Sequence, residues 1–391
     1  MLQMSSAKWT PCRVDENPIQ KTNPINDDAR RCGDGRCSFD FGCYHNSERM
    51  EGRMKAFYIT NPGESRIGDL AEPALCPDEV LLHPRLIGMC GTDLNTFRGK
   101  NPLVSYPRIP GHEIAATIVA AGADVPAGFK TGQNVAVSPY TACGKCASCL
   151  RGRTNACQFN QTLGVQRDGG MTEFLVVPWK KLFVAEGLPL RELVLVEPLS
   201  VGFHAAERGR VAANDTVAVI GCGVVGLGAI AASAFCGART IAIDIDDVKL
   251  ETARLCGAAH VIHSKRTSVH DELLALTGGL GPDVIIEAVG TAETFRMAVD
   301  EVAFTGRVVY VGYAKEPVTY ETRFFLLKEL DILGSRNALG EFGTVIRMFQ
   351  QGKFPVERII SKTVGLEGTG EALTAWAANP SAFTKILVEM E

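Results

Sequence analysis

The chain has 391 residues, of which 46% are hydrophobic and 21% are charged, a length and composition typical of a folded globular protein with two domains. Its formal net charge of −4 and its lack of a polybasic run argue against nucleic acids and anionic membrane surfaces as partners, so we expect a small-molecule substrate. Because no apolar stretch reaches the length of a membrane span and the first residues lack the order of a signal peptide, we expect a cytoplasmic protein.

Residues 1–53 are polar and mixed in charge, and they show no period that could bury one face. This pattern predicts a poorly ordered N-terminal extension. Its possible metal ligands are Cys32, Cys37, Cys43 and His45. Their spacing lacks the paired C-x2-C arrangement of a strong zinc site, so we favour free thiols.

From residue 54 to residue 198 the chain consists of short β-type runs broken by glycine and proline, which predicts a β-rich domain. Its candidate metal ligands are Cys90 in GMCGTD, His112 and Glu113 in PGHE, and Glu197 at its end. A thiolate, an imidazole and a carboxylate around Zn²⁺ leave one coordination position for water or an alcohol, which is typical of a catalytic site. Taken singly, each has another interpretation: Cys90 as a small buried hydrophobe, His112 as a core histidine, and Glu197 as a carboxylate at a helix N-terminus.

Four more cysteines in this domain follow the spacing C-x2-C-x2-C-x7-C: Cys143, Cys146, Cys149 and Cys157. Four thiolates can close a tetrahedron around Zn²⁺ and leave no position for a substrate, so this set predicts a structural zinc. In a reducing compartment, the thirteen cysteines of the chain indicate metal ligands or thiols before disulfides. A metal-free cluster is the alternative, and the crowding of four thiols in one loop disfavours it.

Strand-like and helical segments alternate over residues 199–341, which predicts a parallel sheet with helices on both faces. Helical sequence then returns, and the chain ends in the strand-like KILVEM. We therefore expect residues 342–391 to rejoin and complete the first domain.

The first strand of the second domain, TVAVI, runs directly into the pattern G-x-G-x-x-G and a helix of small residues. In this order Gly221 permits a tight turn, Gly223 lets the backbone approach a pyrophosphate, and Gly226 allows close packing of helix on strand. Val224 and Val225 lie within the pattern, and the N-terminal N–H groups of the helix that follows can bind the phosphates. The pattern predicts a dinucleotide site.

The second strand of this domain ends at Asp244, about twenty residues further on, as the dinucleotide fingerprint requires. Its carboxylate can accept both ribose hydroxyls and would repel a 2′-phosphate, so NAD is favoured over NADP. Lys249, one turn into the next helix, is placed to reach the same ribose. The alternative is an ordinary glycine-rich turn with Asp244 as a helix cap.

Together these features resemble the zinc-dependent branch of the medium-chain dehydrogenase/reductase family, and within it the sorbitol, polyol and threonine dehydrogenase-like members. The resemblance rests on GHE, the four-cysteine lobe, the EP pair at Glu197, GxGxxG and the downstream Asp244, and it covers residues 54–391. It implies an α/β protein with a β-rich GroES-like catalytic domain and a Rossmann domain, which oxidises a secondary alcohol, either a polyol or a sugar acid, with NAD as hydride acceptor. A glutamate at Glu197 is the polyol-type choice, where the alcohol dehydrogenase branch has a cysteine.

The resemblance also implies roles for single residues. The implied ligands of the catalytic zinc are Cys90, His112 and Glu113, with Glu197 bound directly or through a water molecule. Thr92 matches the hydroxyl that accepts the alcohol proton, and Asp93 matches the carboxylate that orients the histidine ligand. Asn95 stands where relatives often carry a histidine that passes the proton to solvent, so the proton path beyond Thr92 stays open.

Arg336, in LGSRNA, follows the last strand of the nucleotide domain, where relatives place side chains near nicotinamide and substrate. An arginine can bind a carboxylate through two hydrogen bonds, which favours a sugar acid over an uncharged polyol. Other basic residues on loops of the first domain point the same way: Arg98, Lys100, Arg108 and Arg167. Arginines that are merely solvated are the alternative.

Two other functions remain open at this point. A zinc-free quinone or enone reductase of the same superfamily would lack both ligand sets. A non-catalytic nucleotide-binding protein would need neither the catalytic ligands nor Thr92. The family further implies a homodimer or homotetramer.

Overall fold

The structure, a computed structural model, describes residues 52–391. Nearly all of the predicted N-terminal extension, with Cys32, Cys37, Cys43 and His45, therefore lies outside the described residues. The described chain forms two compact units. Residues 52–197 together with Ile360–Glu391 form the first, which we call the β-rich unit, and Pro198–Ile359 form the second, which we call the parallel-sheet unit.

The strands are numbered along the chain. They are β1 (Arg53–Asn61), β2 (Glu64–Ala71), β3 (Glu79–Met89), β4 (Glu113–Ala121), β5 (Asn134–Val137), β6 (Leu175–Pro178), β7 (Leu182–Val184), β8 (Thr216–Ile220), β9 (Arg239–Asp244), β10 (His260–His263), β11 (Val284–Glu287), β12 (Arg307–Tyr310), β13 (Asp331–Gly334), β14 (Ile360–Gly365) and β15 (Lys385–Glu389).

The α-helices are numbered in the same way. They are α1 (Gly91–Phe97), α2 (Ala147–Leu150), α3 (Leu190–Leu193), α4 (Val196–Arg208), α5 (Val224–Phe235), α6 (Asp247–Leu255), α7 (Val269–Thr277), α8 (Ala292–Glu301), α9 (Arg323–Leu327), α10 (Phe342–Phe349), α11 (Val356–Ile359) and α12 (Thr369–Ala378). Short 3₁₀ turns occupy Thr154–Ala156, Trp179–Lys181, Leu366–Gly368 and Pro380–Ala382. Within residues 52–391, no helix has both the length and the apolar character that crossing a membrane would require.

The β-rich unit is built on one sheet in the order β14-β15-β3-β4-β5-β7, with β6 also paired to β3. Strand β3 runs antiparallel to both β4 and β15. The end of β3 therefore meets the beginnings of its two neighbours, so that Gly88 pairs with Glu113, and Met89 pairs with Ile386. Residues that are distant in sequence are collected at this one end of the sheet.

The parallel-sheet unit contains six strands in the order β10-β9-β8-β11-β12-β13, and all neighbouring pairs are parallel. This is the doubly wound order of a Rossmann domain, in which the connections reverse direction between β8 and β11. Strand β11 is buried along its whole length and β8 along nearly all of it, as expected for a parallel sheet covered on both faces. The predicted Rossmann domain is confirmed.

The division between the units differs from the predicted one at its second boundary. Residues 342–359, which the sequence suggested would return to the first domain, group with the parallel-sheet unit, and the return begins at β14. The reason lies in α10, whose apolar face buries Phe342, Val345 and Phe349. Helical sequence alone does not say which sheet such a face covers.

Candidate active site and metal centres

The three main candidate ligands of a catalytic metal meet at the shared end of β3, β4 and β15. Cys90 directly follows β3, and Glu113 opens β4, with His112 just before it. The Sγ of Cys90 lies 3.0 Å from Nε2 of His112. Ligand atoms of these two residues and of Glu113 all lie within 4.8 Å of one another.

The chemistry of this cluster fits a zinc ion. Burial lowers the pKa of His112, but the negative charges of Cys90, Asp93 and Glu197 outweigh it and raise that pKa well above its usual value. The cluster therefore concentrates negative charge in a buried place, which a bound cation would balance. A thiolate, an imidazole and a carboxylate are ligands that zinc takes in catalytic sites.

Helix α1 fixes the position of Cys90. This residue caps the helix, and its sulfur accepts a hydrogen bond from the backbone N–H of Thr92 at 3.2 Å. The backbone N–H of Cys90 in turn donates to Oδ2 of Asp93 at 2.9 Å. The other oxygen of Asp93 lies 3.8 Å from Nδ1 of His112, which is beyond hydrogen-bonding distance. Asp93 thus faces the imidazole as predicted, without the orienting hydrogen bond.

Glu113 has a buried partner that sequence reasoning missed. Nζ of Lys385, at the start of β15, lies 2.5 Å from both carboxylate oxygens and also donates to the carbonyl of Met89. Both side chains of the pair are 1% exposed. Room for the carboxylate comes from Gly88, where an added Cβ would lie 1.9 Å from the nearer oxygen of Glu113. The only signal in the sequence was a lysine directly before three apolar residues in the final strand.

Glu197 lies in the first turn of α4 and is 6% exposed. Its Oε1 accepts a hydrogen bond from the hydroxyl of Tyr140, a residue that the sequence analysis did not single out. Burial raises the pKa of Glu197 to about 7, although the neighbouring His112 acts in the opposite direction. Glu197 does not belong to the group of ligand atoms that lie within 4.8 Å of one another.

The four-cysteine lobe is a second candidate metal centre. The sulfurs of Cys143, Cys146, Cys149 and Cys157 also lie within 4.8 Å of one another. Backbone N–H groups donate to two of them: that of Cys146 to the sulfur of Cys143, and those of Cys143 and Phe159 to the sulfur of Cys157, each at 3.3 Å. Such donors stabilise thiolates, so the lobe fits a closed structural zinc.

The predicted dinucleotide loop follows β8 and opens α5. Gly221 has a φ of +96°, which favours glycine. An added Cβ at Gly226 would lie 1.8 Å from the carbonyl oxygen of Gly221, whereas one at Gly223 would meet nothing within 4 Å. Gly226 therefore serves the packing of the turn, and Gly223 leaves an open approach to the helix N-terminus. Val224 and Val225 form the first turn of α5, so the helix begins inside the glycine pattern rather than after it.

Asp244 ends β9 and is bound to backbone N–H groups on both sides. Its Oδ2 accepts from Cys222 at 2.7 Å, and its Oδ1 accepts from Ile245 at 2.7 Å. The residue that caps α6 is Asp246, whose carboxylate accepts from the N–H groups of Val248 and Lys249. The interpretation of Asp244 as a helix cap is therefore wrong, and its carboxylate is held beside the glycine loop.

The basic residues considered for substrate binding have diverse surroundings. Arg336 follows β13 in the parallel-sheet unit. In the β-rich unit, Arg108 pairs with Asp168 at 2.9 Å, and Arg98 donates to the carbonyl of Ala377. These two arginines therefore have structural partners, which weakens the prediction that they bind substrate.

Two stretches of the chain match known protein families. Residues 76–187 match the alcohol dehydrogenase GroES-like domain, and residues 224–351 match the zinc-binding dehydrogenase family. The GroES-like match completes the predicted fold class. The two matches fall within the β-rich unit and the parallel-sheet unit respectively.

Individual relatives match along most of the chain. A zinc-type alcohol dehydrogenase-like protein of Haemophilus influenzae is 32% identical over 86% of this chain and 99% of its own. L-galactonate-5-dehydrogenase of Escherichia coli is 34% identical over 73% of this chain and 84% of its own. Sorbitol dehydrogenase of Bacillus subtilis is 33% identical over 82% of this chain and 92% of its own.

Solved structures agree with these matches. An Escherichia coli alcohol dehydrogenase complexed with NADH superposes with a TM-score of 0.79 at 30% identity, covering 86% of this chain and 99% of that one. A zinc-binding dehydrogenase of Sinorhizobium meliloti bound to NADP superposes with the same TM-score of 0.79 at 29% identity, covering 87% of this chain and all of that one. Proteins of this fold thus bind either nicotinamide dinucleotide.

Proposed function

Because this chain belongs to the zinc-type medium-chain dehydrogenase/reductase family, as the resemblance in its sequence predicted, we propose that it oxidises a secondary alcohol of a polyol or sugar acid with NAD as hydride acceptor. The observation that carries the proposal is the cluster of Cys90, His112 and Glu113, three different ligand types at one end of the sheet. A structural zinc site would be closed by four ligands, whereas three protein ligands leave room for a substrate.

The proposed roles follow from the chemistry of the side chains. Cys90, His112 and Glu113 would hold the catalytic zinc, and the four-cysteine lobe would hold a structural one. Zinc, when bound, supplies a Lewis acid for the alcohol oxygen, and the nicotinamide supplies the hydride acceptor. Thr92, on the first turn of α1 beside Cys90, is the proposed acceptor of the alcohol proton. Asn95 cannot titrate, so we propose that the proton leaves through water or the cofactor ribose.

For the cofactor we propose NAD, held by the parallel-sheet unit. The glycine loop would bind the pyrophosphate, and Asp244 and Lys249 would bind the adenosine ribose. The preference for NAD rests on Asp244, because its carboxylate sits at the end of β9 and would repel a 2′-phosphate. A structural relative bound to NADP shows that this fold can accept the 2′-phosphate. Because Asp244→Ala removes the carboxylate that would repel that phosphate, we expect this variant to reduce the ratio of NAD to NADP turnover. An unchanged ratio would remove Asp244 from the proposal.

For the substrate we propose a polyol or a sugar acid, with preference for the acid. Support comes from Arg336 and from the similarity to both L-galactonate-5-dehydrogenase and sorbitol dehydrogenase. A guanidinium can bind a carboxylate through two hydrogen bonds, which a neutral polyol cannot match. On this basis Arg336→Ala should raise the KM of an aldonate more than that of a polyol.

The proposal is tested by NAD⁺ reduction with a panel of aldonates, polyols and amino alcohols. We expect NADH formation with at least one secondary alcohol, and loss of that activity in Cys90→Ser. Reduction of quinones or enones without dependence on zinc would favour the zinc-free reductase instead. Binding of NAD without turnover of any member of the panel would favour the non-catalytic protein.

We further propose that the chain assembles as a homodimer or homotetramer in the cytoplasm, without nucleic acid or membrane partners. The oligomer is what the family implies, the net charge of −4 argues against nucleic-acid and membrane partners, and cysteines spaced as metal ligands are typical of a reducing compartment. Light scattering on the purified protein gives its mass in solution directly. A monomeric mass at micromolar concentration would contradict the proposed assembly.

A further inference from the structure

We propose that Tyr140 is a positioning residue that holds Glu197 beside the catalytic zinc rather than on it, so that the fourth coordination position stays open for the alcohol. The inference rests on the proposed function, because it concerns the same metal centre. It also bears on the question that the sequence left open, namely whether Glu197 binds the zinc directly, and it favours Glu113 as the third protein ligand.

The first support is the contact itself. Tyr140 is 7% exposed, and its hydroxyl donates to Oε1 of Glu197 inside the β-rich unit. A phenol hydroxyl has one proton to donate, and an ionised carboxylate can only accept, so the contact fixes the direction of this hydrogen bond.

The second support is the rigidity of the segment that carries Tyr140. The backbone on both sides of it is bound to other parts of the unit. The N–H of Ser138 donates to the carbonyl of Lys181 at 2.8 Å, the carbonyl of Pro139 accepts from Leu163 at 3.1 Å, and the N–H of Thr141 donates to Asn160 Oδ1 at 3.1 Å. The hydroxyl is therefore presented from a fixed point and can restrain the carboxylate that it contacts.

The third support is the different state of the two glutamates. Glu113 lies within 4.8 Å of both the Cys90 and the His112 ligand atoms, and Glu197 does not join that group. A buried carboxylate close to a zinc ion is attracted to it, and a fixed hydrogen-bond donor opposes that movement. Without the donor, Glu197 would compete with the alcohol for the open position.

The test is the zinc affinity of Tyr140→Phe, a variant that removes only the hydroxyl. Zinc-depleted protein is titrated with zinc in competition with a chelator of known affinity. The affinity that is measured is that of the zinc ion whose binding is lost in Cys90→Ser. We expect Tyr140→Phe to bind this zinc ion about tenfold more tightly, the lower end of the change in metal affinity that follows mutation of residues around a metal site. The KM for the alcohol should rise at the same time, since the released carboxylate occupies the alcohol's position.

The sign of the change decides between the two arrangements. If Glu197 is itself a ligand that Tyr140 orients, Tyr140→Phe will weaken zinc binding, and the proposal is overturned. Unchanged zinc affinity and KM would make Tyr140 a packing residue only and would also overturn it. In the Glu197→Gln background, Tyr140→Phe should have no effect on zinc affinity, because the competing carboxylate is gone.

Two controls complete the design. Tyr58→Phe removes a phenol hydroxyl from the same unit, one that contacts only the exposed carbonyl of Asp69 at 3.4 Å, and should leave zinc affinity unchanged. Should Tyr140→Phe not fold, Glu197→Gln alone still decides, because loss of zinc affinity in that variant would make Glu197 a ligand. If Cys90→Ser loses no zinc, the proposed function itself fails. If the wild-type site binds zinc and Tyr140→Phe does not change its zinc affinity, only this inference fails.

Discussion

Single residues at the candidate metal centre are bound by buried partners that come from distant parts of the chain. Glu113 is bound by Lys385, which is 272 residues away, and Glu197 by Tyr140, which is 57 residues away. The ligand types and their spacing were visible in the sequence because each motif is local. The two partners were not visible in the sequence. The position of a tyrosine or a lysine along the chain does not indicate which carboxylate it will contact in the fold.

The Lys385–Glu113 pair gives a prediction about stability. Lys385→Met leaves the carboxylate of Glu113 buried without its cation, so we expect the zinc-depleted protein to lose about 3–5 kcal/mol of unfolding free energy. Urea unfolding of wild type and variant in the presence of a chelator measures this loss. The matched control is Arg53→Ala, since the Arg53–Asp69 pair is 78% and 62% exposed and should contribute at most about 1 kcal/mol. A loss in Lys385→Met as small as that of the control would contradict the account.

At the level of the elements, two glycines in the turn between β8 and α5 have different roles, one in packing and one in NAD binding. In Gly226→Ala the new methyl group would collide with the carbonyl of Gly221, at 1.8 Å, so we expect a lower melting temperature and loss of NAD binding. In Gly223→Ala the methyl group meets nothing within 4 Å, so the fold should keep its melting temperature while NAD affinity falls. Thermal unfolding and calorimetric titration with NAD⁺ measure the two effects. Full NAD affinity in Gly223→Ala would show that no pyrophosphate approaches this backbone.

The segment before α10 gives a prediction about pH. Glu341 accepts a hydrogen bond from His204 of α4 at 2.7 Å, and its other oxygen accepts from the N–H groups of Leu339 and Gly340. Burial raises the pKa of Glu341, but these donors outweigh it and hold the pKa below its ordinary value of 4.5. The stabilisation is therefore fully present above about pH 4.5 and is lost as the pH falls through the lower value of the folded protein.

We accordingly expect Glu341→Gln to be less stable than wild type at pH 7 by about 1–3 kcal/mol. The difference should shrink as the pH is lowered below 4.5, the ordinary pKa of this carboxyl group. Urea unfolding of both proteins from pH 7 to pH 3 follows it. A difference that stays constant over this range, or that grows towards low pH, would show that the carboxylate does not stabilise the folded state.

The sequence predicted where helices and strands occur better than it predicted which of the two units each element joins. The strand–glycine loop–helix order around Gly221 and the short β runs before residue 198 have local causes, namely turn geometry and side-chain alternation. The grouping of residues 342–359 with the parallel-sheet unit has no such local cause. It depends on which surface the apolar face of α10 covers, and the local sequence does not specify that surface.

For the molecule as a whole, composition and motif order were enough to predict two folded units with a metal-type and a nucleotide-type site. The return of the chain to the first unit could be predicted only roughly, because β15 pairs with β3 almost three hundred residues earlier. That pairing also delivers Lys385 to Glu113. Strand β15 thus contributes to the candidate metal centre as well as to the sheet.

The central claim is that the β-rich unit carries two separate zinc sites, one closed and one open. Metal analysis of wild type, Cys90→Ser and Cys149→Ser, together with NAD⁺ reduction by each, tests it most directly. We predict two zinc ions per chain in the wild type and one in each variant, with alcohol oxidation abolished in Cys90→Ser. The account would be contradicted if Cys90→Ser retained two zinc ions, or if Cys90→Ser lost the zinc ion of the open site and kept full activity.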